Sequence, residues 1–497
     1  MRVGQERTGA NAKSGKPAKN SRRRPIGPRY GAHRSKPAQS AAATAPVGLL
    51  PRELAVDLVT AVLHQGHALD EAIARGFASA RYADLEARDR ALARQIAATT
   101  LRYARPLQAL LDQRLDKPLH QRYARVSAIL LSAAAQLCRI GTPPHAAISL
   151  AVEQTRLARG ARHLDKLVNA VLRGLVRDAV SLSDEPATVR SAFPGWMWRR
   201  WVQNFSEDTA QAIAAASLNE AALDLTVKSD PLVWAERLGG VALATGTVRL
   251  VAGGRIEDLE GFATGAWWVQ DAAAALPARL LNVPADSAIE IADLCAAPGG
   301  KTTLLAANGA RVTAVDVSAD RLSRLSSNLE RLGLSAELIE ADVATWSPGR
   351  QFDAVLLDAP CTATGTIRRH PDIPHLKREG DIVGLADLQA KLLSNAARLV
   401  RPGGQLVYCT CSLEPEEGEA QVAAFLEEHR EFEVSAIKAG ESGVEAHWIT
   451  SEGYVRTLPG FTPALMQNSP ALRDTAGVPQ GMDGFFIARL QRSRNPE

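Results

Sequence analysis

The chain has 497 residues, 46% of them hydrophobic and 23% charged, with a formal net charge of +4. That length exceeds one core and implies two or three domains, and the composition is that of ordinary globular protein rather than a disordered chain. No apolar run approaches the roughly 18 residues of a membrane span, so no membrane partner is expected. The five cysteines are Cys138, Cys295, Cys361, Cys409 and Cys411. An odd count argues against a disulfide framework and fits a reducing cytoplasm with free thiols.

The charge is concentrated at the start. Residues 1–48 include Arg22, Arg23, Arg24, Arg29, Arg34 and Lys36, against Glu6 as the single acid before Pro46. Such a stretch cannot bury enough apolar surface to fold and reads as a disordered basic tail suited to a polyanion. A solubilising extension or an Arg-rich leader has the same composition, whereas a secretory signal would need an apolar segment that is absent.

From 49 to 180 the pattern is helical. Leu54, Leu58, Ala61 and Val62 recur at helix spacing. Further apolar stretches cover 126–140, 146–158 and 164–176, with Pro143-Pro144 between two of them. Arg94, Arg102, Arg125, Arg156, Arg159 and Arg162 are among its many arginines. Following a basic tail, they point to a phosphate-binding face. Residues 181–265 read as a small α/β connector, with strand-like alternation at 223–227 and 247–251.

From 266 to 497 strands alternate with helices. The predicted strands are 288–294, 312–315, 336–339, 354–357 and 405–409, and the helices include 301–307, 320–332 and 385–400. Arg401-Pro402-Gly403-Gly404 reads as a tight turn from the last helix into a strand. This is the pattern of an α/β doubly wound, Rossmann-like domain with a largely parallel sheet. A late strand at 483–488 would close it antiparallel.

The run Asp293-Leu294-Cys295-Ala296-Ala297-Pro298-Gly299-Gly300-Lys301-Thr302 follows the first of these strands and opens a helix. Ligands bind at the carboxyl ends of strands in such sheets, small residues let them approach the backbone, and a helix start offers free N–H groups. A phosphate-binding P-loop would need glycine where Cys295 stands, and the G-x-G-x-x-G of a dinucleotide site is absent. Asp316 ends the next strand, where an acid accepts from ribose hydroxyls. Asp342 follows the third, placed to accept from an adenine amino group. Each acid singly is also a candidate helix cap.

Asp358-Ala359-Pro360-Cys361 follows the fourth strand and Thr410-Cys411-Ser412 the fifth. Both strand ends face one sheet edge, so two thiols and one carboxylate can converge on one substrate. A thiolate adding to carbon 6 of cytosine breaks the ring's aromaticity and makes carbon 5 nucleophilic towards a methyl donor. Asp358 can hydrogen-bond the cytosine edge, and the base must be unstacked to react. Spacing alone does not choose between Cys361 and Cys411. Cys138, Cys295 and Cys409 read as small buried hydrophobes. A zinc site on Cys361, Cys409 and Cys411 lacks the C-x-x-C spacing, so no metal is expected.

With these residues the chain resembles, from 49 to 488, the Sun (RsmB) family of ribosomal small-subunit RNA cytosine-5 methyltransferases. The motifs are the Asp293 to Thr302 run, Asp358 to Cys361, and Thr410 to Ser412 followed by Glu414-Pro415-Glu416-Glu417. Val168-Asn169-Ala170-Val171-Leu172-Arg173 looks like the signature of the family's NusB-like RNA-binding domain. The resemblance implies an all-α NusB-like domain joined to a class I methyltransferase domain. It implies S-adenosylmethionine held by Cys295, Ala296, Ala297, Pro298, Gly299, Gly300, Lys301, Asp316, Asp342 and Asp358. It makes Cys411 the nucleophile and gives Cys361 a part in product release or proton removal. It implies small-subunit ribosomal RNA as substrate and a monomer in the cytoplasm. The alternatives are transfer RNA or large-subunit RNA as substrate, or an RNA-binding assembly factor without catalysis. Where the family's connector carries Arg-Val-Asn after its first strand, the segment here is Leu225-Thr226-Val227-Lys228-Ser229, with Lys228 placed to replace a phosphate contact.

Overall fold

The computed structural model describes residues 46–251, 254–281, 289–469 and 477–494. The basic tail up to residue 45 and the predicted strand start at 288 lie outside the described residues.

Helix Leu49–Gln65 buries Leu54, Ala55, Val56, Leu58, Val59 and Val62, almost all round its axis, and is therefore central to the helical part. Helices Ala87–Arg102, Ala124–Ala135, Pro144–Leu157 and Asp165–Arg177 surround it. The last is amphipathic, burying Val168, Val171, Leu172 and Leu175 at helical spacing while Arg173 and Arg177 face out. Helix Ala124–Ala135 runs through one π turn, Gln136–Ile140, and stops at Gly141 (φ +75°), ahead of Pro143-Pro144.

The arginines expected on a phosphate face divide into two groups. Arg125 pairs with Glu53 and Asp57, Arg156 with Asp165, and Arg102 donates to the Arg368 carbonyl. Arg102 and Arg125 serve internal contacts, and Arg156 is exposed but paired. Arg94, Arg159 and Arg162 are exposed.

One hydrophobic cluster continues from these helices through Met197, Trp198, Trp201 and Ile213 to Ile367, Leu413 and Leu458. Leu69 N–H donates to Asp372 Oδ2 at 2.9 Å, and the buried His375 ring nitrogen donates to the Leu101 carbonyl at 2.8 Å. The helical part is thus packed onto the loops that follow the large sheet.

Strands β1 (Asp224–Val227), β2 (Gly240–Ala242), β3 (Thr247–Leu250) and β4 (Trp267–Val269) form a small antiparallel sheet in the order β2-β3-β1-β4. β4 lies beyond the connector limit expected at 265, because the chain turns at Gly261 and Gly265 (φ +88° and +65°) and sets Trp268 opposite Thr226. β2 and β4 were not predicted, since three residues carry too little alternation.

The large sheet comprises β5 (Glu290–Leu294), β6 (Arg311–Asp316), β7 (Glu337–Glu340), β8 (Phe352–Asp358), β9 (Val400–Thr410), β10 (Phe432–Val434), β11 (Val455–Arg456) and β12 (Phe486–Arg492). Its order is β10-β12-β9-β8-β5-β6-β7, with β11 beside β12. The run β9-β8-β5-β6-β7 is parallel, and β12 joins β9 antiparallel, with Phe486 opposite Thr410. Both faces are covered, so β8 is a nearly continuous apolar run from Ala354 to Leu357. Two details differ from the sequence reading. The last strand is 486–492 rather than 483–488, because Asp483 is held in side-chain ion pairs. The expected turn Arg401 to Gly404 is an irregularity inside β9, where Val400 opposes Phe352 and Gln405 opposes Ala354. Among the described residues no helix is long and apolar enough to cross a membrane.

Candidate active site

The carboxyl ends of β5, β6, β8 and β9 set Cys295, Asp316, Asp358 and Cys411 along one sheet edge. After β5 the backbone turns at Cys295 (φ +58°) and Gly299 (φ +105°) before helix Gly300–Ala307 begins. A Cβ on Gly299 would lie 2.0 Å from Leu325 Cδ1, so this position requires glycine. Ala296 N–H donates to the Val315 carbonyl at 3.0 Å and Ala297 N–H to Asp316 Oδ2 at 3.1 Å, which binds loop to strand end.

Asp316 is 1% exposed. Its oxygens also accept from Ser318 N–H at 3.0 Å and from Arg321 at 2.6 Å, and Arg321 reaches the Ala297 carbonyl at 2.9 Å. Asp342 is exposed, and its Oδ1 accepts from Ala344 N–H at 2.9 Å in a local turn. Ala341 N–H bonded to the Asp316 carbonyl keeps it next along the same edge.

Lys301, buried in the first turn of its helix, donates to Asp358 Oδ2 at 2.6 Å. Burial opposes its charge, but Asp358 outweighs burial and raises the ammonium pKa. Cys409 lies opposite Asp358 in register and its thiol donates to Asp358 Oδ1 at 3.5 Å; burial pushes that thiol well above its ordinary value. Burial raises the Cys295 thiol to about 12. Asp293 is also buried. Its Oδ2 accepts from Thr302 Oγ1 at 2.5 Å, and Oδ1 has no partner among the described residues. Burial pushes its carboxyl up to about 7.

The sulfur atoms of Cys361 and Cys411 are 3.4 Å apart, and all five cysteines are free. The hydrogen bond to Cys411, and then burial, raise the Cys361 pKa well above the ordinary value, so it is held as a thiol. Gly365 N–H donates to the Cys411 carbonyl at 2.9 Å and Leu413 N–H to Thr364 Oγ1 at 2.9 Å, lacing the two thiol-bearing loops together.

A cavity of about 510 Å³ opens beside Lys301 and Asp358, lined by Ala296, residues 298–301 and the connector's Phe262 and Trp268. It reaches neither Asp316 nor Asp342 nor the thiols. At its wall Arg368 and Arg369 each pair with both Asp271 and Asp483, at 2.5–2.8 Å. Sequence reasoning missed this quartet, because each acid lies 97 to 115 residues from the arginines it pairs with and no local motif announces them. It placed Glu417 in a family motif without a role; the buried carboxyl accepts from Thr362, Ser412 and Gln389. Lys228 does not stand free for a phosphate: its ammonium donates to the Leu332 carbonyl at the end of helix Ala319–Leu332. Among the described residues no group of three His, Cys, Asp or Glu side chains is placed to hold a metal.

Residues 278–491 match the profile of the family described as 16S rRNA methyltransferase RsmB/F, and residues 50–177 match the NusB family. The chain is 39% identical over 398 residues to ribosomal RNA small subunit methyltransferase B of Sodalis glossinidius, covering 76% of this chain and 89% of the relative. It is 35% identical over 461 residues to the protein of the same name from Klebsiella pneumoniae, covering 89% and 98%. The crystal structure of PH0851 superposes with a TM-score of 0.69 over 89% of this chain and 99% of that one. At 22% identity that likeness is one of fold.

Proposed function

This chain belongs to the RsmB/F methyltransferase family, and from that premise we propose that it methylates carbon 5 of a cytosine in small-subunit ribosomal RNA, with Cys411 as nucleophile. The observation that carries this reading is the Cys361–Cys411 pair at 3.4 Å, on loops that adjoin the Asp358–Lys301 pair.

The methyl donor of this family is S-adenosylmethionine, and the residues present fit it. A cavity of about 510 Å³ lies against residues 298–301 where a helix starts, and Asp316 is a buried acid at the neighbouring strand end. Residues 295–301, Asp316, Asp342 and Asp358 would hold it. When bound, it supplies an electrophilic sulfonium methyl group.

Cys411 Sγ forms a bond to carbon 6 of the unstacked cytosine, which leaves carbon 5 enamine-like and able to take the methyl group. Asp358, oriented by Lys301, hydrogen-bonds the cytosine edge and stabilises the adduct. The carbon 5 proton then passes to water, its electron pair re-forms the carbon 5–carbon 6 double bond, and the sulfur–carbon bond breaks with Cys411 leaving as a thiolate. The Cys361 thiol beside it donates a hydrogen bond to the departing sulfur. Residues 49–180 bind RNA, 181–265 connect, and 266–497 carry the chemistry, in a monomer working in the cytoplasm where ribosomal RNA is processed.

The two thiols test the reading. With ribosomal RNA and S-adenosylmethionine, Cys361→Ala accumulates a covalent protein–RNA adduct on a denaturing gel and Cys411→Ala forms none. An adduct with Cys411→Ala and none with Cys361→Ala would exchange the two roles.

A further inference from the structure

Nothing covalent joins the two loops that carry the thiols, yet their sulfurs sit in hydrogen-bond contact. Cys361 ends an Ala-Pro-Cys segment after β8, and Cys411 directly follows β9. The residue after each thiol, Thr362 and Ser412, turns inward. Both meet the carboxyl group of Glu417, which is fully buried.

Thr362 N–H donates to Glu417 Oε1 at 2.9 Å and Oε2 at 3.2 Å, and the Thr362 hydroxyl donates to Oε2 as well. Ser412 Oγ donates to Oε2 at 2.5 Å. From helix Asp381–Leu399, Gln389 Nε2 donates to Oε1 at 3.0 Å. The Glu417 carbonyl in turn accepts from Tyr408 OH at 2.8 Å and Thr410 Oγ1 at 3.1 Å, both on β9. One residue therefore gathers donors from the Cys361 loop, the Cys411 loop, β9 and a covering helix. Its neighbours Glu414 and Glu416 pair with Arg200 of helix Gly195–Asn204, and the second oxygen of Glu414 accepts from Thr364 Oγ1 at 3.4 Å.

We propose that Glu417 is the positioning residue of the active site, setting the distance and direction of the Cys361 and Cys411 sulfurs through Thr362 and Ser412. This inference rests on the cytosine-methylation reading for its consequence in catalysis, but not for its consequence in thiol geometry. The hydrogen bond to Cys411 and burial hold Cys361 as a thiol, and the Glu417 charge adds to them in the same direction. Misplacing a reacting group by an ångström costs about 100-fold in rate, whereas substrate binding elsewhere on the molecule is untouched.

The test uses the full chain with Glu417→Gln, which keeps size and one acceptor, and Ser412→Ala, which removes one grip and leaves Glu417 in place. Two quantities are read. In methyl transfer to ribosomal RNA, Glu417→Gln lowers kcat about 100-fold while KM for RNA and for S-adenosylmethionine stays within about threefold, and Ser412→Ala lowers kcat by about tenfold. In the absence of RNA, iodoacetamide labelling followed by peptide mass spectrometry shows Cys361 reacting about tenfold faster in Glu417→Gln than in the unaltered chain. The alkylation arm needs no substrate, so it still decides the assignment if the unaltered chain proves not to methylate cytosine. A folded Glu417→Gln protein with unchanged Cys361 labelling overturns the proposal. So does a fall in kcat accompanied by an equal loss of both binding constants and of melting temperature, which marks a purely structural role.

Discussion

Asp293 shows how burial of one residue sets a pH dependence. Its carboxyl titrates at about 7 in the folded chain, against about 3.9 unfolded. Between those values the folded state holds a proton that the unfolded state has released, so this group's stabilising contribution is full below pH 4 and is lost as pH rises towards 7. The loss approaches about 4 kcal/mol at neutral pH. Asp293→Asn is uncharged throughout and still offers Thr302 an oxygen. Its stability relative to the unaltered chain, measured by urea unfolding, should therefore grow from pH 4 to pH 7 and then level. Parallel profiles would show that Asp293 carries no such burden. The residue lies in a motif legible in the sequence, but its burial, and hence its titration, is a property of the sheet above and below it.

Among the elements, the loop between β5 and helix Gly300–Ala307 places the most chemistry for its length. Gly299→Ala puts a Cβ against Leu325 Cδ1 at 2.0 Å in a backbone conformation that disfavours side chains. Leu325 is fully buried and cannot step aside, so the loop must shift. Titration calorimetry should find S-adenosylmethionine affinity reduced at least about tenfold in Gly299→Ala. Gly333→Ala meets no atom within 4 Å and keeps that affinity. Equal affinities in the two variants would free Gly299 of this role. This loop was legible because its motif is contiguous, and β5, β6 and β8 were legible because both-face burial makes them apolar runs. The three-residue strands β2 and β4, and the irregularity at 401–404, were not, because so few residues carry no alternation and only their pairing defines them. The family resemblance, more than spacing, separated Cys411 from Cys361, since in the fold the two thiols touch.

At the scale of the whole molecule, the Asp271–Arg368–Arg369–Asp483 quartet joins the start of helix Ala272–Arg279, the segment after the Cys361 loop and the approach to β12. Burial works against an ionised Asp271, but Arg369 and Arg368 outweigh it and hold its pKa far below the usual carboxylate range. Removing one carboxylate leaves guanidinium groups buried and underpaired, a loss of about 3–5 kcal/mol. Asp483→Ala should therefore lower the melting temperature by several degrees, and the drop should exceed that of an exposed change such as Glu330→Ala. An equal drop would show the quartet to be energetically idle.

The central claim is that the acceptor is carbon 5 of a cytosine, and its most direct test follows the hydrogen that the methyl group replaces. Small-subunit ribosomal RNA carrying tritium at cytosine carbon 5 is incubated with the protein and S-adenosylmethionine, and tritium released to water is counted against methyl groups incorporated. The expected result is one tritium released for each methyl group gained, with neither seen for Cys411→Ala. Methyl incorporation without tritium release would contradict carbon 5 as the acceptor, and release with Cys411→Ala would contradict the nucleophile.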